Sequence, residues 1–112
     1  MLITADEEER FVVLEKLASD YAQAQAQAEY LDDFTKSKLA MLMKAAEAQG
    51  ASSAVIQERE ARRDAEFIRH LEGKRAATEQ ALALKWKLTL WQARFEWART
   101  KAATRRAEMN LR

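Results

Sequence analysis

Apolar residues recur along this chain at alternating steps of three and four, the interval that places side chains on one side of an α-helix. In the first half the row is Leu14, Leu17, Tyr21, Ala24, Ala28, Leu31, Thr35, Leu39, Leu42 and Ala46. Its one double step of four, around Thr35, reads as a stutter that relaxes supercoiling locally. In the last third two rows coexist. Leu84, Leu88, Trp91, Phe95, Ala98 and Ala102 form one, and Leu82, Trp86, Leu90, Ala93 and Trp97 fall on the opposite side of the same helix. A helix that is apolar on two sides calls for two partners, and the stretch from Ala81 to Arg106 is therefore the segment around which the rest is organised. A weaker outer row on the first helix contains Val12, Tyr30, Phe34 and Met41.

Terminal signals divide the pattern into three helices. Thr4 can cap a first helix with Glu7 three residues on, and Asp6 to Glu9 place negative charge at its positive end, so a helix is expected over about residues 5–49. Ala22 to Ala28 alternates like a strand, but alanine and glutamine form helices well and strands poorly. Gly50 suits the position just past a helix end, and Ser52 with Ser53 supplies a turn and a new cap for a short helix over about 54–62. Asp64 with Glu66 opens a last helix expected over about 65–110, with Gly73 tolerated inside. Two helices of about 45 residues, each on the order of 65 Å long, joined by a short connector predict an all-α antiparallel hairpin. Folding back near residue 57 would set position i opposite 114 − i. That register brings Arg94 near Asp20, Arg99 near Glu15, Lys85 near Glu29, and Arg105 with Arg106 near Glu8 and Glu9. It also sets bulky Trp91 and Leu88 against small Ala24 and Ala28.

Composition sharpens the reading without changing it. The chain has 112 residues, no proline, two glycines and no cysteine. This is one domain's worth of helix-forming material, so residues 1–112 are taken as a single helical domain. Without cysteine there is no disulfide, thiolate metal site or cysteine nucleophile, and no leader or membrane span is evident, so a cytoplasmic location and no membrane association are expected. The net charge of +1 hides a polarity: residues 1–35 hold nine acids and two bases, and residues 74–112 hold ten bases and three acids. Ends of opposite charge favour antiparallel pairing, although each surface ion pair is worth at most about 1 kcal/mol.

Candidate chemistry is sparse. His70, the sole histidine, has Glu66 four residues before it, but one histidine cannot fill a metal shell, and a solvated i,i+4 pair is the simpler expectation. Asp6 to Glu9 read as an acidic helix start, and Ser52 and Ser53 as caps. No catalytic residue, cofactor, metal or small-molecule substrate is therefore expected. Leaving Leu82, Trp86, Leu90 and Trp97 in water would create a patch that monomers avoid, so these residues, with Tyr30 and Phe34, are expected at an oligomer interface. Dimerisation would complete a four-helix bundle in coiled-coil style. Cations interleaved with aromatic rings also suit nucleic acid, with Arg99, Lys101, Arg105, Arg106 and Arg112 as candidate contacts. The acidic first helix opposes that reading.

The block containing Trp86, Leu88, Trp91, Arg94, Phe95, Glu96, Trp97, Arg99 and Thr100, followed by Ala103-Thr104-Arg105-Arg106-Ala107-Glu108-Met109, resembles the end of a group of small helical proteins of tailed phages and prophages. Gln57-Glu58-Arg59 before a second helix resembles the same group. Where its members often carry a proline break before the last helix, this chain has Arg63-Asp64-Ala65-Glu66. The resemblance implies an accessory role near phage replication or recombination, with a protein partner and no catalytic residues to carry over. A small inhibitor of a host enzyme would fit the same size and charge.

Overall fold

The computed structural model describes residues 5–111, and all regular structure among them is helical: α1 (Ala5–Ala48), α2 (Ala54–Arg63) and α3 (Ala65–Asn110). These bounds differ from the expected ones by at most one residue at either end. The expected cap at Thr4 lies outside the described residues, while the acidic first turn of Asp6, Glu7 and Glu8 opens α1.

The end of α1 is closed by its own backbone. The Gly50 amide donates to Glu47 O at 3.1 Å and the Ala51 amide to Ala46 O at 3.0 Å, which satisfies carbonyls the helix would otherwise leave open. The motif needs a left-handed residue, and Gly50 has φ of 109°. Ser53 then caps α2, its Oγ accepting from the Ile56 amide at 3.2 Å. Asp64 joins α2 to α3 in an extended conformation. Its amide donates to Ala61 O, and its Oδ1 accepts from the Glu66 amide at 2.8 Å, so one residue ends a helix and begins the next without proline.

The chain forms two compact units, one of residues 1–22 with 82–112 and one of residues 23–81. In the second unit α1 and α3 run antiparallel: Asp32 meets Lys74 at 2.6 Å, Thr35 meets His70 at 2.9 Å, and Lys38 meets Glu66 at 3.2 Å. In the first unit Phe11 and Phe95 pack edge to face with centroids 5.0 Å apart. Each unit thus sets position i opposite about 105 − i.

This corrects the expected register of 114 − i by about nine residues. The cause is the place of reversal. The chain turns at Gln49–Ser53, so α2 belongs to the returning arm instead of forming the tip. A groove lined by Leu42, Ala46, Ile56, Glu60 and Asp64 runs between the end of α1 and α2, and Ala61 is buried. Consequently none of the ion pairs expected within the first unit forms: Arg94, Arg99, Arg105 and Arg106 do not pair with Asp20, Glu15, Glu8 or Glu9, and Asp20 is held by Lys16 instead, at 3.1 Å.

Packing follows the three–four spacing closely. All ten residues of the expected α1 row are buried or half-buried. On α3 the covered residues are Phe67, His70, Lys74, Ala77, Ala81, Leu84, Leu88, Trp91, Phe95 and Ala98, and every other described residue of that helix is exposed. Ala102, expected in the row, is exposed.

Candidate interaction surface

The outer face of α3 is the feature that packing leaves unanswered. At about 100° per residue, Trp86, Leu90, Ala93 and Trp97 lie on the side of α3 away from Leu84, Leu88, Trp91, Phe95 and Ala98. The structure separates the two rows as that geometry requires. The inner row is half-buried, whereas Leu82 is 50%, Trp86 63%, Leu90 59% and Trp97 66% exposed. Indole rings and leucine side chains therefore stand in water along about four helical turns of one unit.

Cations line this stretch of α3, some beside the outer row and some, such as Arg99 and Arg106, on the inner side. The Lys101 ammonium lies 4.7 Å from the centre of the Trp97 ring, and the Arg94 guanidinium lies 5.9 Å from that of Trp91. Such contacts hold a cation against a ring while leaving its charge available to a ligand. Lys87, Arg94, Arg99, Lys101, Arg105 and Arg106 form no ion pair among the described residues. Trp97, Thr100, Lys101, Thr104, Arg105 and Glu108 line a shallow open groove on the helix surface. Of the expected nucleic-acid contacts, Arg99, Lys101, Arg105 and Arg106 are all exposed, and Arg112 lies outside the described residues.

In the other unit, Tyr30 is exposed and stacks on Phe34 with centroids 6.0 Å apart, while Phe34 is half-buried and meets the His70 ring edge to face. Phe34 thus already has an internal partner. Val12 and Met41 of the weaker outer row are exposed.

His70 is not the solvated partner of Glu66 that its spacing suggested. It occupies a covered position of α3, where its Nε2 lies 2.9 Å from Thr35 Oγ1. The same Thr35 hydroxyl lies 2.9 Å from Leu31 O; with its one proton on that carbonyl, the imidazole Nε2–H is the donor to Thr35. Phe34 and Phe67 border the ring. Glu66 is engaged by Lys38 across the helices. Thr35, read in sequence as a stutter, is therefore half of a polar layer, and His70 is the half that the apolar pattern could not show.

The other polar contact across these helices joins Lys74 to Asp32. The hydrogen bond from Lys74, and then its charge, hold the Asp32 carboxyl below its ordinary pKa. No group of three or more metal-ligating side chains occurs among the described residues, and no described helix is long and apolar enough to cross a membrane. No protein-family model, curated protein or solved structure matches the chain.

Proposed function

We propose that this protein is a non-catalytic, self-associating helical interaction protein whose working surface is the outer row of α3. The observation that carries the reading is the exposure of Trp86, Leu90 and Trp97 on the side of α3 away from its internal packing. Two tryptophans and two leucines exposed to this degree present roughly 500 Å² of apolar surface, near the upper end of what monomers leave open. Pairing two such surfaces removes on the order of 1,000 Å² from water, enough for a specific interface. Two copies then bring four long helices together, with α3 inside and α1 outside. The phage resemblance directs the search for a further partner to proteins of DNA replication or recombination.

The test is the mass of the full chain in solution by light scattering, with Trp86→Ala/Trp97→Ala as the perturbation. Both positions face outward, so helix content by circular dichroism should stay within a few per cent while the wild-type dimer becomes monomeric. A wild-type monomer at all concentrations would refute the reading.

A second reading, contact with nucleic acid, is favoured by the unpaired cations of α3. It is opposed by the six acids that α1 contributes to the same unit between Ala5 and Ala22. Binding to labelled DNA that falls steeply with salt and disappears in Arg105→Ala/Arg106→Ala would establish it.

A further inference from the structure

The charges flanking the outer row identify how its occupant runs. This inference rests on the self-association proposed above and adds the orientation of the second copy.

With Leu90 placed at position a of a seven-residue repeat, Ala93 is d, Trp97 is a and Trp86 is d. The residues beside this row then sort by charge. The e positions are Lys87, Arg94 and Lys101, all cations. The g positions are Leu82, Thr89 and Glu96. None of the three cations has an ion pair among the described residues of its own chain, and Glu96 has none either. All four ionic groups are exposed and free to meet a neighbour.

The two orientations of a neighbouring α3 use these flanks differently. Side chains at e and g set partner and direction when helices pack along such a row. An antiparallel copy brings e against e, so Lys87 would meet Arg94 of the second copy on a flank made wholly of like charges. A parallel copy brings g against the e position five residues further on. Glu96 then meets Lys101 of the second copy, twice by symmetry, while Thr89 lies beside Arg94 and Leu82 beside the stem of Lys87. No like charges face each other on these flanks.

We infer that the partner at this surface is α3 of a second copy running parallel, with Trp86, Leu90, Ala93 and Trp97 each facing their own counterparts. Lys101, which lies over the Trp97 ring in the single chain, needs only to extend past that ring to reach Glu96 of the neighbour.

The orientation is read by charge reversal on the full-length protein, with the dimer dissociation constant from sedimentation equilibrium. In the parallel dimer Lys101→Glu sets two carboxylates together and weakens association about tenfold. Glu96→Lys does the same, and the double swap recovers most of the loss. In an antiparallel dimer Lys101→Glu would instead relieve the cationic flank and tighten association, which would overturn the inference while leaving self-association standing. Since the chain has no cysteine, a spin label on Arg106→Cys gives an independent readout. Labels about 20 Å apart support parallel helices, whereas roughly 40 Å or more, expected from the helical rise in the antiparallel case, overturns them. A dimer unaffected by Trp86→Ala/Trp97→Ala overturns both the surface and the orientation. So does a wild-type monomer at every concentration, as expected if the row belongs to a foreign acidic helix.

Discussion

Phe67 carries the largest side chain among the buried residues and offers the sharpest test of the packing. It is 2% exposed, whereas Ile68, the next residue on the same helix, is 45% exposed. Truncating a buried phenylalanine forfeits the transfer free energy of the ring and leaves a cavity, together about 3–5 kcal/mol. A domain of this length has roughly 5–15 kcal/mol of stability in all, so Phe67→Ala should lose between a fifth and most of it. Ile68→Ala removes fewer contacts from a half-wet position and should cost under about 1.5 kcal/mol. Urea unfolding monitored by circular dichroism measures both, and the slope of free energy on urea shows whether the denatured state has changed. The reasoning fails if the two variants cost the same, or if Phe67→Ala costs less than about 1 kcal/mol. Either result would mean that this face of α3 is not where α1 lies.

Two polar contacts give further predictions. Thr35→Val keeps the side-chain shape but leaves His70 Nε2 without its hydrogen-bond partner; it should cost about 1–3 kcal/mol in chemical unfolding, and His70→Phe in the same background should recover part of that. Asp32 has a depressed pKa in the folded chain, so its contribution is present above the ordinary aspartate value near about 3.9 and is lost as pH falls through the lower folded value. The stability difference between wild type and Asp32→Asn should accordingly hold at pH 6 and fade below pH ~4; a difference that grew on acidification would contradict the Lys74 contact.

How far the sequence revealed this arrangement depends on which residues carried the pattern. The α1 row was readable because its covered positions are Leu, Tyr and Ala with one Thr, and alternating apolar steps identify a face whatever lies against it. On α3 the apolar spacing is evident only from Leu84 onward. Between Phe67 and Ala81 two covered positions are His70 and Lys74, polar residues that pair across the helices, and no periodicity of apolar residues exposes such a pair. The register is hidden for a different reason. Charge and size matching score many offsets similarly, and only the position of the reversal selects one. Gly50 and Ser53 mark that reversal, but the short helix after them resembles a tip in sequence and is in fact the start of the way back. The outer row of Trp86, Leu90 and Trp97 was legible because no single neighbour can cover opposite sides of one helix.

Three of the five buried residues among those described are alanines: Ala28, Ala61 and Ala81, all in the unit formed by residues 23–81. At those points the chain's own contribution to the interior is a single methyl group, closely covered by its surroundings. Mutational drift there is confined to small residues, because anything larger must wedge the backbones apart. The outer side of α3 has no such ceiling: it can exchange one bulky residue for another and acquire new specificity while the fold beneath it is unchanged.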